Sequence, residues 1–293
     1  MKITKIKENL ILFTSHVLLG NATLLKTAKR WILVDTLLLP TDTNMIVTYM
    51  KENDIVLSYI INTHWHSDHC FGNRILHKPP VKAIAQAGHR RTLELERNMI
   101  KPERSMILEK HLVPEPDMVF EQHCSLFDGL FIPDADQQST TCEIIHAPGH
   151  SFDMSYVWCE REGILITGDN VLAGEEGEVL PPYFWWGDID LLINSLNRII
   201  LLNPCWILPG HGNPVKLSYI ENYLIYLENL KIRTTEIVQR GGYSGSEQLR
   251  DIFMAEIDIQ SVWPERGKTR IKLNKTHELN LYQLAIERVK NSG

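Results

Sequence analysis

The 293 residues contain no apolar run approaching the roughly 20 residues that a membrane-spanning helix needs. The nearest candidate for a leader, Leu10-Ile11-Leu12-Phe13, is interrupted by Thr14, Ser15, His16 and Asn21, so no signal-peptide core develops and residues 10–36 read as strands and turns. There is no long basic run either, and the net charge of −6 leaves tight nucleic-acid binding without a visible electrostatic carrier. Cysteine is sparse. Cys70, Cys124, Cys142, Cys159 and Cys205 are odd in number, scattered and without a CxxC pair, which predicts reduced thiols in a cytoplasmic protein rather than a disulfide framework. With 44% apolar and 23% charged residues, the chain can bury a core as one large domain or a domain with an appendage.

Histidine, by contrast, is concentrated. His64-Trp65-His66-Ser67-Asp68-His69 sets three imidazoles and a carboxylate within six residues, directly after the strand-like run Ile55-Val56-Leu57-Ser58-Tyr59-Ile60-Ile61. His64 and His66 are two apart and can converge on one side of a chain leaving a strand, while Asp68 and His69 occupy the next turn. Imidazole and carboxylate are the ligands zinc and related ions prefer. A lone HxH would be a His-rich surface loop. Three further segments argue otherwise: Ala147-Pro148-Gly149-His150-Ser151 follows the strand-like Cys142–His146, Gly163–Thr167 runs into Gly168-Asp169, and Trp206-Ile207-Leu208 runs into Pro209-Gly210-His211-Gly212. Four times an apolar strand stops, a turn follows and a metal-ligand type appears, at the strand rim where layered α/β architectures place their sites.

With these motifs in this order, the chain resembles the metallo-β-lactamase superfamily over about residues 10–214, including the early strand Trp31-Ile32-Leu33-Val34-Asp35-Thr36. The resemblance implies that His64, His66 and His150 bind one metal, Asp68, His69 and His211 a second, and that Asp169 bridges them. Seven protein ligands for two ions leave coordination positions open, as catalysis requires and structural zinc does not. Zinc is the expected ion, with iron or manganese as alternatives. His146, four residues before His150, reads as a strand histidine or a group supporting a ligand. Asp35 closes a buried strand and needs a partner, for which the second ring N–H of a ligand histidine is suited. His16, His77, His89, His111, His123 and His277 have no ligand-like setting, and Cys70 reads as a small buried apolar residue rather than part of the pocket.

Strands are expected at 10–14, 22–27, 31–35, 55–61, 81–85, 126–132, 141–147, 155–159 and 163–167. Helices are expected from Pro40-Thr41-Asp42 to Glu52, from His69 onward, from Gly88 to about Met99, and over Asp188–Leu202; residues 100–125, with Pro102, Pro114 and Pro116, read as an irregular excursion. Alternating strands and helices with meander-like runs indicate two sheets between helices. The fold implied by the resemblance is the same four-layer αββα sandwich. After Pro214 the spacing turns helical, over 217–239, 246–257 and 277–290, so residues 1–214 are expected to form the catalytic domain and 215–293 a helical extension packed on it, with a lid or a homodimer contact as its other uses. Between Asp169 and the helix at 188, Tyr183-Phe184-Trp185-Trp186 forms either an apolar wall of a substrate cleft, with Trp65 beside it, or a packed seam against the C-terminal helices.

Two divalent ions roughly 3.5 Å apart share a hydroxide and lower its pKa towards neutrality. The expected activity is therefore a metal-dependent hydrolase that uses this bridging hydroxide, with Asp169 positioning the ions and Asp68 accepting the proton of the nucleophile. The small-molecule substrate is expected to carry an ester, thioester or lactone of a fairly apolar acid. β-Lactamases of the superfamily usually lack a bridging aspartate, and Gly168-Asp169 sets this chain apart from them. Other readings are a phosphodiesterase or nuclease of the same superfamily, a mononuclear-iron persulfide dioxygenase, and a non-enzymatic metal-binding regulator.

Overall fold

Alternation of apolar side chains along short strands builds two sheets that share one core. The computed structural model describes residues 1–27, 30–89, 113–127, 130–133, 142–175, 178–184, 186–263, 270–271 and 274–290. The first sheet holds β1 (Lys2–Lys7), β2 (Leu10–Thr14), β3 (Asn21–Lys26), β4 (Trp31–Val34), β5 (Leu57–Ile61), β6 (Lys82–Gln86) and β7 (Met118–Phe120) in sequence order. Its first four strands are antiparallel, and β4 through β7 are parallel. The second sheet draws on β8 (His123–Phe127), β9 (Leu130–Pro133), β10 (Cys142–His146), β11 (Ser155–Cys159), β12 (Ile164–Ile166) and β14 (Trp206–Leu208), in the order β14-β12-β11-β10-β8-β9. A short parallel pair, β13 (Glu178–Val179) with β15 (Arg270–Ile271), stands apart.

Each strand divides its side chains between two layers. Ile32, Val34, Ile61 and Ile84 of the first sheet meet Ile144, Val157, Ile166 and Leu208 of the second in the central core. Leu33, Ile60 and Ala83 point the other way, onto Ile46 and Met50 of α1 (Pro40–Glu52). Between them in sequence, α2 (Ser67–Cys70) and α3 (Asn73–Leu76) are single turns at the end of β5. On the far side, Ile145, Tyr156, Trp158 and Leu165 pack on α4 (Ile189–Leu202) and on the C-terminal helices α5 (Leu217–Arg240), α6 (Ser246–Glu256), α7 (Ile259–Val262) and α8 (Asn274–Lys290). This is the αββα sandwich, with the C-terminal helices sharing the hydrophobic cluster of its outer layer. Among the described residues no helix is long and apolar enough to cross a membrane.

Several local expectations need correction. Cys142 and Cys159 are joined in a disulfide, with Cα atoms 4.3 Å apart. The antiparallel register of β10 and β11, in which Glu143 faces Trp158, brings the two cysteines opposite each other, a long-range pairing that sequence spacing does not reveal. Only Cys70, Cys124 and Cys205 are free thiols, so the scattered cysteines no longer argue for a reducing compartment. The stretch 100–125 is not wholly irregular, because β7 and the start of β8 lie in it. The apolar run at 126–132 is part of the β8–β9 hairpin rather than one strand. β1 escapes the hydrophobic pattern because KITKIK is an edge strand with exposed lysines. Pro40 sits at the first position of α1 behind Leu39, without a side-chain cap. The helical turn expected from His69 begins earlier, at Ser67. Of the helix expected over Gly88 to Met99, all beyond His89 lies outside the described residues, as does His111.

Candidate metal centre

The C-terminal ends of β4, β5, β10, β12 and β14 all reach one rim, and every strand end there delivers a polar side chain. β5 runs into His64, His66, Asp68 and His69; β10 into His150; β12 into Asp169; β14 into His211. Local sequence fits each turn. Gly168 adopts φ +49°, and a Cβ at Gly210 would collide with Asp169 Oδ1, so glycine lets the β14 turn press against the carboxylate.

Seven side chains gather into two sets, His64, His66, His150 and Asp169 in one, Asp68, His69 and His211 in the other. In the first, His64 Nε2 and His150 Nε2 lie 2.8 and 3.0 Å from His66 Nδ1, and 3.9 and 3.6 Å from Asp169 Oδ2. In the second, His69 Nε2 and His211 Nε2 are 3.4 Å apart, and His211 Nε2 and His69 Nε2 lie 3.4 and 3.9 Å from Asp68 Oδ2. Asp169 Oδ1 adds a fourth corner to this set, 3.1 Å from His69 Nε2 and 3.3 Å from His211 Nε2. The two oxygens of Asp169 thus face different sets. A tetrahedral zinc with bonds of about 2.1 Å has ligand–ligand edges of about 3.4 Å, and the observed separations scatter around that value. The donor types and the buried Asp169 Oδ1, which has no hydrogen-bond partner although it faces two imidazoles, also fit a bound cation.

The outward ring nitrogens are tied down. His69 Nδ1 faces Asp35 Oδ2 at 2.8 Å, His150 Nδ1 the Tyr183 carbonyl at 2.7 Å, His211 Nδ1 the Leu18 carbonyl at 2.9 Å, and His64 Nδ1 the hydroxyl of Thr63 at 3.1 Å. With these acceptors Nδ1 carries the proton, and Nε2 of all four rings is left as the metal donor. Asp35 also accepts from Thr63 N and Thr63 Oγ1, at 2.8 and 2.7 Å. Its backbone sits at φ +60°, an uncommon conformation at the end of β4 that turns the carboxylate under His69.

Burial and charge divide the imidazoles. Burial pushes His64, His66 and His150 below the usual histidine range, helped for His64 by His69 and for His66 by His150. Burial also opposes protonation of His69 and His211, but Asp169, together with Asp35 and Asp68 for His69 and Asp68 for His211, outweighs it. His69 rises well above its ordinary value and His211 to about 10. Asp68 and Asp169, which burial alone would raise, are held below the usual carboxylate range, Asp68 by His69 and His211, Asp169 by His211 and His69.

His146 stays outside both sets. It ends β10, where Nε2 bonds the Phe152 carbonyl at 2.8 Å and closes the turn that carries His150. Cys70 is fully buried, with its thiol 3.3 Å from the Trp65 carbonyl. Of the aromatic group, Trp65 and Phe184 are fully buried, and Phe184 belongs to the cluster with α4 and the C-terminal helices. Trp186 is 37% exposed, stacked edge-on to Trp65 at 5.7 Å, and the ring of Tyr183 lies 5.5 Å from that of His150. Trp185 is outside the described residues.

Supporting residues that sequence reasoning missed are mostly buried amides. Asn170 accepts from His150 N at 2.9 Å and donates to the Ala147 carbonyl at 2.8 Å. Asn21 donates to the carbonyls of Pro209 and Gly212, clamping the His211 turn. Asn62 donates to the His69 carbonyl at 3.1 Å. The available signal was their position: an amide at or just beyond an apolar strand's end, where burial demands partners.

The profile of the metallo-beta-lactamase superfamily matches residues 17–211. The beta-lactamase-like protein 2 homolog of Caenorhabditis elegans is 28% identical over 228 residues, 75% of this chain; the chain spans 64% of that relative's length. Thioesterase pkgB of Emericella nidulans is 26% identical over 172 residues, 58% of this chain and 38% of its own. Among solved structures, the DIM-1 metallo-beta-lactamase superposes with a TM-score of 0.60 at 22% identity, covering 78% of this chain and 96% of that one.

Proposed function

The chain belongs to the metallo-β-lactamase superfamily, and from that premise we propose that it is a binuclear metal-dependent hydrolase that cleaves an ester, thioester or lactone of a small molecule. The observation that carries the reading is the pair of four-cornered donor sets sharing Asp169. His64, His66 and His150 would hold one ion, Asp68, His69 and His211 the other, and Asp169 both; zinc suits donors of this kind best. Bound there, two divalent ions supply a water-derived nucleophile at neutral pH and polarise the scissile carbonyl.

The chain's own groups do the rest. Asp35, Thr63, Tyr183 and Leu18 fix the tautomers and orientations of four imidazoles before substrate arrives. Asp68, with a side chain 19% exposed against 7% for Asp169, is the carboxylate more open to solvent, which supports assigning it to take a proton from an attacking water and pass it to the leaving group. An acyl group as substrate draws support from the thioesterase among the relatives and from the Tyr183 ring beside His150. The test is hydrolysis of an ester, thioester, lactone and phosphodiester panel by protein loaded with zinc, iron or manganese, with metal stoichiometry measured on the same samples. Two ions with acyl hydrolysis support the reading; phosphodiester cleavage alone, or oxygen-dependent turnover with one iron, replaces it with another chemistry.

Trp186 is proposed as the accessible wall of the acyl pocket and Phe184 as its packed support. Trp186→Ala should raise KM for substrates with large apolar acyl groups by roughly 1–3 kcal/mol of lost binding, with acetyl esters little affected. A fall in melting temperature with KM unchanged for every substrate would assign Trp186 to packing instead.

A further inference from the structure

Asn280 is a polar residue in the apolar stripe of α8, fully buried beside Leu281, Leu284 and Ala285. Its amide nitrogen reaches 98 residues back along the chain to the carbonyl of Pro182 at 2.8 Å and meets the Tyr226 hydroxyl of α5 at a longer 3.4 Å, while its oxygen Oδ1 is buried without a hydrogen-bond partner. A half-satisfied amide in such a place costs stability, so the short bond it makes to Pro182 needs a reason. The next carbonyl along the chain, that of Tyr183, accepts from His150 Nδ1 at 2.7 Å. A second tie lies upstream: Tyr219 of α5 donates to the Leu172 carbonyl at 2.8 Å, and the Tyr223 hydroxyl meets the carbonyls of both Leu172 and Leu180. The segment running from Asp169 to Trp186 is thus held at Leu172, Leu180 and Pro182 by side chains of the C-terminal helices. Pro181 and Pro182 fix their own φ angles, so an anchor on the Pro182 carbonyl constrains where the Tyr183 carbonyl points.

We propose that Asn280 is a positioning residue for the metal centre, fixing through Pro182 and Tyr183 the ring of His150 and the aromatic wall beside it. The C-terminal helices then act as the frame of one side of the site as well as its packing. This rests on the reading of His150 as a metal ligand, and it adds residues beyond the 17–211 segment that the superfamily profile matches.

The test compares wild type with Asn280→Leu, which keeps the branching and heavy-atom count of the side chain and removes the unsatisfied oxygen along with the bonds to Pro182 and Tyr226. Removing the orphaned oxygen stabilises, while the Pro182 carbonyl left without its donor and the bulkier methyl groups destabilise, so the melting temperature of the metal-free protein should shift only modestly. Hydrogen exchange in that metal-free protein should quicken in peptides covering 147–153 and 180–187, and change in α5 no further than the turn around Tyr226, which loses its contact with the Asn280 amide. In titrations with cobalt(II), one equivalent should bind about 10–100-fold more weakly while the other is unaffected. Unchanged exchange in those two peptides overturns the proposal, and so does a uniform rise across the helices with a lowered melting temperature, which marks Asn280 as packing only. If Asn280→Leu fails to fold, Asn280→Ser is read in the same way. Wild-type protein that takes up no cobalt would sink the metal reading, and the exchange result would still decide whether Asn280 positions the turn.

Discussion

Asp169→Asn is expected to cost one of the two ions and nearly all turnover. The substitution preserves shape and hydrogen-bonding size but removes the negative charge that lies 3.1 and 3.3 Å from His69 and His211 on one side and 3.6 Å from His150 on the other. Among the described residues no other carboxylate oxygen faces both donor sets, because Asp68 approaches His69 and His211 of one set. The loss in kcat/KM should exceed the about 10–100-fold that removal of a supporting hydrogen bond costs a metal site. Metal analysis after gel filtration and steady-state kinetics on the same preparation check this. Two tightly held ions with near-normal kcat would show that Asp169 does not bridge.

Removing the metal should abolish activity reversibly and lower the melting temperature by several degrees, with a pH dependence that differs between the two positions. An ion present at about 1,000 times its Kd stabilises the fold by about 4 kcal/mol. The pH dependence follows from the metal-free protein. His64, His66 and His150 are depressed by burial and stay neutral near pH 7, so an ion entering their set displaces no imidazole proton. His69 is raised, and His211 holds its proton up to about pH 10, so an ion entering their set must displace protons. Affinity at that second position therefore rises with pH until these groups deprotonate, and falls on acidification before the first position is affected. Calorimetric titration in buffers of different ionisation enthalpy should find proton release confined to one of the two equivalents. Equal release at both positions would contradict the assignment of charge between the sets.

The relation between sequence and site differs from motif to motif. His64, His66, His69, His150, Asp169 and His211 were legible because each follows an apolar strand and a tight turn, and periodicity finds strands well. Asp35 was legible by a weaker rule, that a buried carboxylate needs a partner; that the partner is His69 could not be read, because β4 and β5 lie side by side only in the folded sheet. The Cys142–Cys159 bond was misread for the same reason, since only register sets the two cysteines opposite each other. The aromatic run was ambiguous in composition and is divided in space: Phe184 faces the helical layer, whereas Trp186 stays in part exposed.

By itself, the sequence determined local matters: where most of the apolar strands lie, and which residue types in the turns after them can ligate an ion. These depend on side-chain period and backbone sterics within a few residues. Only the tertiary structure decided which oxygen of Asp169 faces which histidines, which carbonyl orients each ring, and that Asn280 reaches Pro182 from the far end of the chain. Those are distances between segments up to 193 residues apart, fixed by the packing of two sheets and a helical layer. No local propensity encodes such a distance, because it is a property of the whole core's geometry.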